Sequence, residues 1–394
     1  MKKRGLTTLF LSLFLFSFGQ AQTDPADDDY IKAMTSNDPC QRVQLLKAYI
    51  TKYAGKGTKY ENFAYAQLCL TRCQTKTPKE TIDYGEKALA AGGLDDLTKT
   101  QILINLSAID SQTGQNLEKA KSYATQVIEL ARANKNKEPE SSDQWNKLIG
   151  AGYFALGQAQ EKAKDDKGAV DSYVNSYNIL KNPQIIASLK KVGKALYEAK
   201  MYADAEKAFK VAYSTTRDFE SCAFFAKSLY RNGKNGESIA YFKEAYGKQK
   251  NGEIAYNIGI ILAKDSKTNP ALANEAIKYL LEASFLSPAN SQQALSLAES
   301  LFFTANKDLK YNENIKQIED INKKIDELTK TYNTKFEGKN EDELSDAEKK
   351  EMKTLLDNLE VEKKNLQKLE SDQNLYIAKF NKLLDETKLR LGIK

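Results

Sequence analysis

A small residue, a ring or large apolar residue four positions on, and a second small residue three beyond that recur four times along this chain. The triplets are Ala169, Tyr173 and Ser176; Ala205, Phe209 and Ala212; Ser238, Phe242 and Ala245; and Ala276, Leu280 and Ala283. Steps of four and three place all three side chains on one face of a helix. The first members stand 36, 33 and 38 residues apart. Self-similarity at this period marks an array in which each unit buries its apolar face only against its neighbours.

Each triplet is preceded by another helical stretch with its own small marker. Gly157, Gly193 and Ala226 lie twelve residues before the first three triplets, and Gly259 lies seventeen before the fourth, where "KDSKTNP" lengthens the turn. Glycine inside a helix costs about 1 kcal/mol against alanine, so its return at one phase predicts a place where two helices approach closely. These marks resemble the tetratricopeptide repeat (TPR) family, a helix-turn-helix unit of about 34 residues. Leu156-Gly157, Val192-Gly193, Phe225-Ala226 and Ile258-Gly259 match the family's Leu-Gly pair, and Ala169/Tyr173, Ala205/Phe209 and Ser238/Phe242 match its alanine-then-aromatic marker. Pro288 matches the closing proline, with Pro183 two residues late. The first-helix tyrosine is missing, replaced by Gln160, Leu196, Leu229 and Leu262. The resemblance implies an all-α, right-handed superhelical solenoid.

Upstream, Ala88 and Ala120 mark second helices of degenerate units, and "PCQRVQLLKAYITKYAG" reads as part of an N-terminal cap. Trp145 opens the first clear unit and reads as core. "SQQALSLAESLFF" reads as a closing helix, since solenoid ends need caps. From about Lys307 the repeat marks vanish. Ile315, Ile318, Ile325 and Leu328, then Met352, Leu355, Leu359, Leu366 and Leu369, and beyond them Tyr376, Phe380 and Leu383, keep a three-and-four rhythm amid mixed charge. That pattern predicts a long antiparallel coiled-coil hairpin. Ser345 and Glu348 form a capping box that restarts the helix, and Glu362 and Gln373 interrupt the seam. The expected divisions are a signal peptide over 1–21, degenerate helical repeats over 22–143, TPR repeats with a capping helix over 144–306, and the hairpin over 307–394.

The signal peptide is read from Lys2, Lys3 and Arg4, the apolar run Leu6 to Phe18, and the small residues Gly19 and Ala21, with cleavage after Ala21. No later segment is apolar enough to span a bilayer, so an exported protein, periplasmic or secreted, is expected. The formal charge is +6, of which three charges leave with that segment. So weak a positive balance is no footprint for nucleic acid. The chain has no histidine, which removes the commonest general base and metal ligand. Its four cysteines are Cys40, Cys69, Cys73 and Cys222. Cys69 and Cys73 are one helical turn apart, and with no histidine and no second close pair, zinc is not expected. Cys40 has two candidate disulfide partners, Cys69 and Cys73. Buried free thiols are the alternative.

The resemblance also implies a ligand groove along the first helices. Its positions here are Phe154, Gln158, Glu161 and Lys162; Lys190, Lys194, Tyr197 and Glu198; Ala223, Lys227, Tyr230 and Arg231; and Tyr256, Ile260, Ala263 and Lys264. Within that set Phe154, Lys190, Lys194, Tyr197, Lys227, Tyr230, Arg231 and Tyr256 are the candidate protein-binding residues. Lysine and arginine supply donors for carboxylates and tyrosine supplies flat contact area, so an acidic peptide or protein is the expected partner. The expected function is a non-enzymatic, protein-binding scaffold of the cell envelope, with no cofactor and no metal. The alternatives are a structural protein oligomerising through the coiled coil and, more remotely, an envelope polysaccharide-active enzyme with paired carboxylates.

Overall fold

An acceptor side chain followed by proline starts three of the first four helices. Asp24 caps α1 (Pro25–Met34), Asp38 caps α2 (Pro39–Tyr53), and Thr77 caps α4 (Pro78–Ala91), each accepting from a backbone N–H of the first turn. α3 (Glu61–Leu70) lies between the last two. The computed structural model describes residues 24–393, so the expected signal peptide lies outside the described residues. Among the described residues all regular structure is helical, and two compact units divide between Ile185 and Ile186.

The first unit continues with α5 (Asp96–Thr113), α6 (Leu117–Lys137), α7 (Ser142–Lys162) and α8 (Asp166–Leu180). Helices pair in chain order, α1 with α2, α3 with α4, α5 with α6 and α7 with α8. Ala88 and Ala120, the markers of the degenerate second helices, are fully buried on α4 and α6. Trp145 is core, as expected, with Ile128, Ala131 and Ile149. Its indole N–H donates to Glu138 Oε2 at 2.8 Å. Cys40, in the first turn of α2, is bonded to Cys73 in the loop after α3, with Cα atoms 5.1 Å apart. Cys69 and Cys222 are buried free thiols.

The second unit holds α9 (Pro183–Glu198), whose first turn carries the division, and α10 (Tyr202–Thr216), α11 (Phe219–Arg231), α12 (Asn235–Lys248), α13 (Gly252–Asp265), α14 (Ala273–Leu286) and α15 (Ser291–Ala305). It ends with α16 (Tyr311–Phe336) and α17 (Asp346–Leu391). The small first-helix residue of each repeat receives the large residue of its second helix. A Cβ on Gly193 would stand 2.9 Å from the Phe209 ring, and one on Gly259 would stand 2.6 Å from Leu280. Ala226 and Phe242 are likewise fully buried in one core. The turns repeat as well: Lys164, Lys200 and Gly233 all take left-handed backbone. The next residue's N–H closes onto Gln160, Leu196 or Leu229 respectively, at 2.8–2.9 Å. Three of the four positions where the family's tyrosine is missing, Leu196, Leu229 and Leu262, are buried apolar contacts instead.

α16 and α17 form an antiparallel hairpin. Lys324 pairs with Glu362 at 2.6 Å and Lys335 with Glu351 at 2.5 Å, so position rises on one helix as it falls on the other. The Ser345–Glu348 capping box is present at the start of α17. The two seam interruptions resolve differently: Glu362 finds Lys324, whereas the Gln373 carbonyl oxygen is buried without a hydrogen-bond partner. The far end of α17 returns to the repeats. Phe380 packs against Phe302 and Phe303 at ring separations of 5.4 and 6.3 Å. Arg390 Nε donates to Glu282 Oε1 at 2.8 Å, and Glu282, 2% exposed, also accepts from the Tyr246 hydroxyl at 2.6 Å. The chain's C-terminal turns therefore cover the last repeat of this unit.

Candidate functional site

Seven of the eight candidate residues lie in the second unit: Lys190, Lys194 and Tyr197 on α9, Lys227, Tyr230 and Arg231 on α11, and Tyr256 on α13. Phe154 belongs to the first unit, half-buried on α7. Its ring lies 5.8 Å from that of Tyr173, and Tyr173 donates to Glu161 Oε2 at 2.6 Å. In that unit two groove positions are thus engaged with the second helix of their own repeat.

In the second unit the lysines meet carboxylates of the next first helix. Lys190 Nζ lies 2.5 Å from Asp218 Oδ2 and 3.3 Å from Glu220 Oε2, Lys194 also pairs with Glu220, and Lys227 Nζ lies 2.7 Å from Glu253 Oε1. These acids stand where helix starts favour them. Asp218 caps α11 by accepting from the Ser221 N–H, Glu220 is in that helix's first turn, and Glu253 is in the first turn of α13. Burial pushes the Asp218 carboxyl up, but Lys190, the Ser221 N–H and the Thr216 and Ser221 hydroxyls hold it well below the usual carboxylate range. Lys194, outweighing burial, holds Glu220 low as well. The lysine side chains are drawn in, that of Lys190 to 17% exposure and that of Lys227 to 14%.

The organising side chain of this face is one that sequence reasoning missed. Phe224 stacks on Phe209 at 4.9 Å and meets Tyr197 edge-on at 5.7 Å, while Lys194 and Lys227 lie over its ring at 5.5 and 5.1 Å. Its signal was position, immediately after the groove residue Ala223. Arg231, exposed, lies 5.9 Å from the Tyr202 ring, and the neighbouring Tyr197 hydroxyl pushes its pKa up. Tyr230 lies edge-on to Phe242 at 6.4 Å, and the Tyr256 hydroxyl donates to Gln293 Oε1 at 3.4 Å. Four cations thus share a face with three carboxylates and four half-buried rings. Such a surface can offer flat contact area and polar handles. Among the described residues no group of three or more Cys, Asp or Glu side chains is arranged to hold a metal. No helix among them is long and apolar enough to cross a membrane.

No protein-family model matches the sequence, and no curated protein matches it. Among solved structures, a tetratricopeptide repeat protein from Parabacteroides merdae is similar at 14% identity over 69% of this chain and 98% of that one, with a TM-score of 0.35. YrrB, described as a TPR protein with an unusual peptide-binding site, is similar at 18% identity over 54% and 95%, with a TM-score of 0.34. The TPR2AB domain of yeast Sti1 in its complex with pHSP90 is similar at 16% identity over 66% and 99%, with a TM-score of 0.23. The chain's own helix pairs, with a small residue of one helix seating a large residue of the next at a recurring phase, define an all-helical, tetratricopeptide-like repeat protein.

Proposed function

We propose that this protein is a non-enzymatic scaffold that binds a protein or peptide segment along the first-helix face of α9, α11 and α13. One observation carries the reading: Tyr197, Tyr230 and Tyr256 stay partly exposed on that face while Lys190, Lys194 and Lys227 between them are already engaged in ion pairs. A surface whose long side chains are fixed beforehand loses little freedom when it binds. Half-exposed tyrosine supplies contact area at low entropic cost. The acidic partner expected from the sequence would compete with Asp218, Glu220 and Glu253 for the same lysines, so tyrosine contacts rather than net charge are the main source of affinity. Export to a cell envelope belongs to the same proposal, supported by the Cys40–Cys73 bond, which fits an oxidising compartment.

The test is site-specific photo-crosslinking in cells, with the crosslinker in turn at Tyr230, at Tyr256 and at Val361 on the hairpin. A common partner caught from Tyr230 and Tyr256 but not from Val361 is the expected result. A partner, or a second copy of the chain, caught only from Val361 would make the hairpin the functional end and the coiled-coil alternative correct. Shortening the distal hairpin while keeping Phe380 to Arg390 is the matching deletion, because cutting before Lys307 would uncover Phe302, Phe303 and Glu282.

A further inference from the structure

The first unit contains a basic hollow lined by none of the proposed groove residues. It opens between the C-terminal turns of α6, the first half of α7 and the C-terminal turns of α8, with a volume of about 490 Å³, within the range of small-ligand sites. Arg132 and Lys135, three residues apart on α6, face it together. Arg132 Nη2 donates to the Tyr153 hydroxyl at 2.5 Å, and Lys135 Nζ donates to Asn146 Oδ1 at 2.8 Å. Both cations are therefore held by neutral acceptors. Among the described residues no carboxylate forms an ion pair with either, and none lines the hollow. The contrast with the second unit is direct, since there Lys190, Lys194 and Lys227 each have a carboxylate.

The remaining lining fits a hydroxylated ligand. Asn175 and Asn178 bring two more amides from α8, each with paired donors and an acceptor. Ile149 and Ile179 give an apolar floor beside the Tyr153 ring. Tyr153 is next in sequence to the groove position Phe154, but neighbouring helix residues point about 100° apart, so the hollow is not part of the first-helix groove.

We propose that this hollow binds a sugar acid of one or two rings. Its carboxylate would lie between Arg132 and Lys135, its hydroxyls would meet the asparagine amides, and its ring face would rest on Ile149, Ile179 and Tyr153. The guanidinium fork and the ammonium keep donors free of carboxylate partners, and a planar carboxylate satisfies both.

Lys135 also stands in the last turn of α6, where any cation complements the helix dipole, and the test separates the two roles. The probe is glucuronate, with glucose and acetate beside it, titrated into the intact oxidised chain by NMR. Saturable binding of glucuronate, much weaker binding of glucose and acetate, and a loss of about tenfold or more in the Arg132→Gln/Lys135→Gln double variant are expected. Asn178→Asp places a carboxylate on the exposed rim and should weaken binding as strongly without lowering the melting temperature. Lys194→Gln in the second unit should leave binding unchanged. Absence of saturable glucuronate binding, equal binding of acetate, or binding that survives both hollow variants would overturn the proposal.

Discussion

A Cβ added to Gly157 would stand 2.7 Å from the Tyr173 ring. That ring has no exposed surface into which it could retreat. The glycine on the first helix and the ring on the second are therefore one packing unit, and the same pairing links Gly193 with Phe209.

This relationship decides the sign of a substitution that helix propensity alone would misjudge. Gly157→Ala gains about 1 kcal/mol of propensity but overpacks a closed contact at a cost of about 1–3 kcal/mol, so urea unfolding should show a net loss. Gly247 is also helical, yet nothing lies within 4 Å of its would-be Cβ. Gly247→Ala should instead stabilise by about 0.5–1 kcal/mol. Equal effects at the two sites would refute the packing argument.

The Cys40–Cys73 bond closes a sequence separation of 33 residues. In the chain-entropy picture its loss costs about 3–4 kcal/mol. Cys73→Ser should therefore speed amide hydrogen exchange in α2, α3 and α4 and leave α13 and α14 unchanged. Unchanged protection in α2 to α4 would mean that the bond is incidental to the fold.

Asp110 is 3% exposed, with one carboxylate oxygen lacking any hydrogen-bond partner. Burial raises its pKa, and the opposing pull of Lys119 is smaller. A carboxyl raised in the folded state contributes its stability in full below the unfolded pKa of about 3.9, and that contribution is lost as pH rises toward the folded value. Asp110→Asn should thus stabilise at pH 7 by about 1 kcal/mol, and the gain should shrink on acidification to pH 4. Melting curves at the two pH values check it, and a gain independent of pH would exclude the ionisation argument.

Removing Arg390 would leave Glu282 buried with Tyr246 as its remaining partner. Arg390→Met should cost about 1–3 kcal/mol, and adding Glu282→Gln should recover part of that loss because no charge is then stranded. Additive losses in the double variant would show that the two groups do not act as a pair.

The repeat units were legible because the contact that builds each one is short in sequence. Gly157 meets Tyr173 and Gly193 meets Phe209 sixteen residues on, and helical spacing carries side-chain size directly onto a face. The capping box of Ser345 and Glu348 was legible for the same reason, being local hydrogen bonding over three residues. The candidate face was legible only in outline. Its tyrosines and lysines follow from phase, but Asp218, Glu220 and Glu253 lie 26 to 30 residues beyond the lysines they pair with. That pairing depends on how one helix pair docks on the next.

By itself, then, the sequence determined the helices, their pairing within each repeat and the small-to-large packing rule, all consequences of local periodicity. Tertiary structure alone decided that Cys73 rather than Cys69 bonds Cys40, that the groove lysines meet carboxylates while Arg132 and Lys135 meet the neutral acceptors Tyr153 and Asn146, and that Arg390 reaches Glu282 across 108 residues. Those outcomes turn on the distance and orientation between separate elements. Burial of whole faces sets that geometry, and no one-dimensional spacing encodes it.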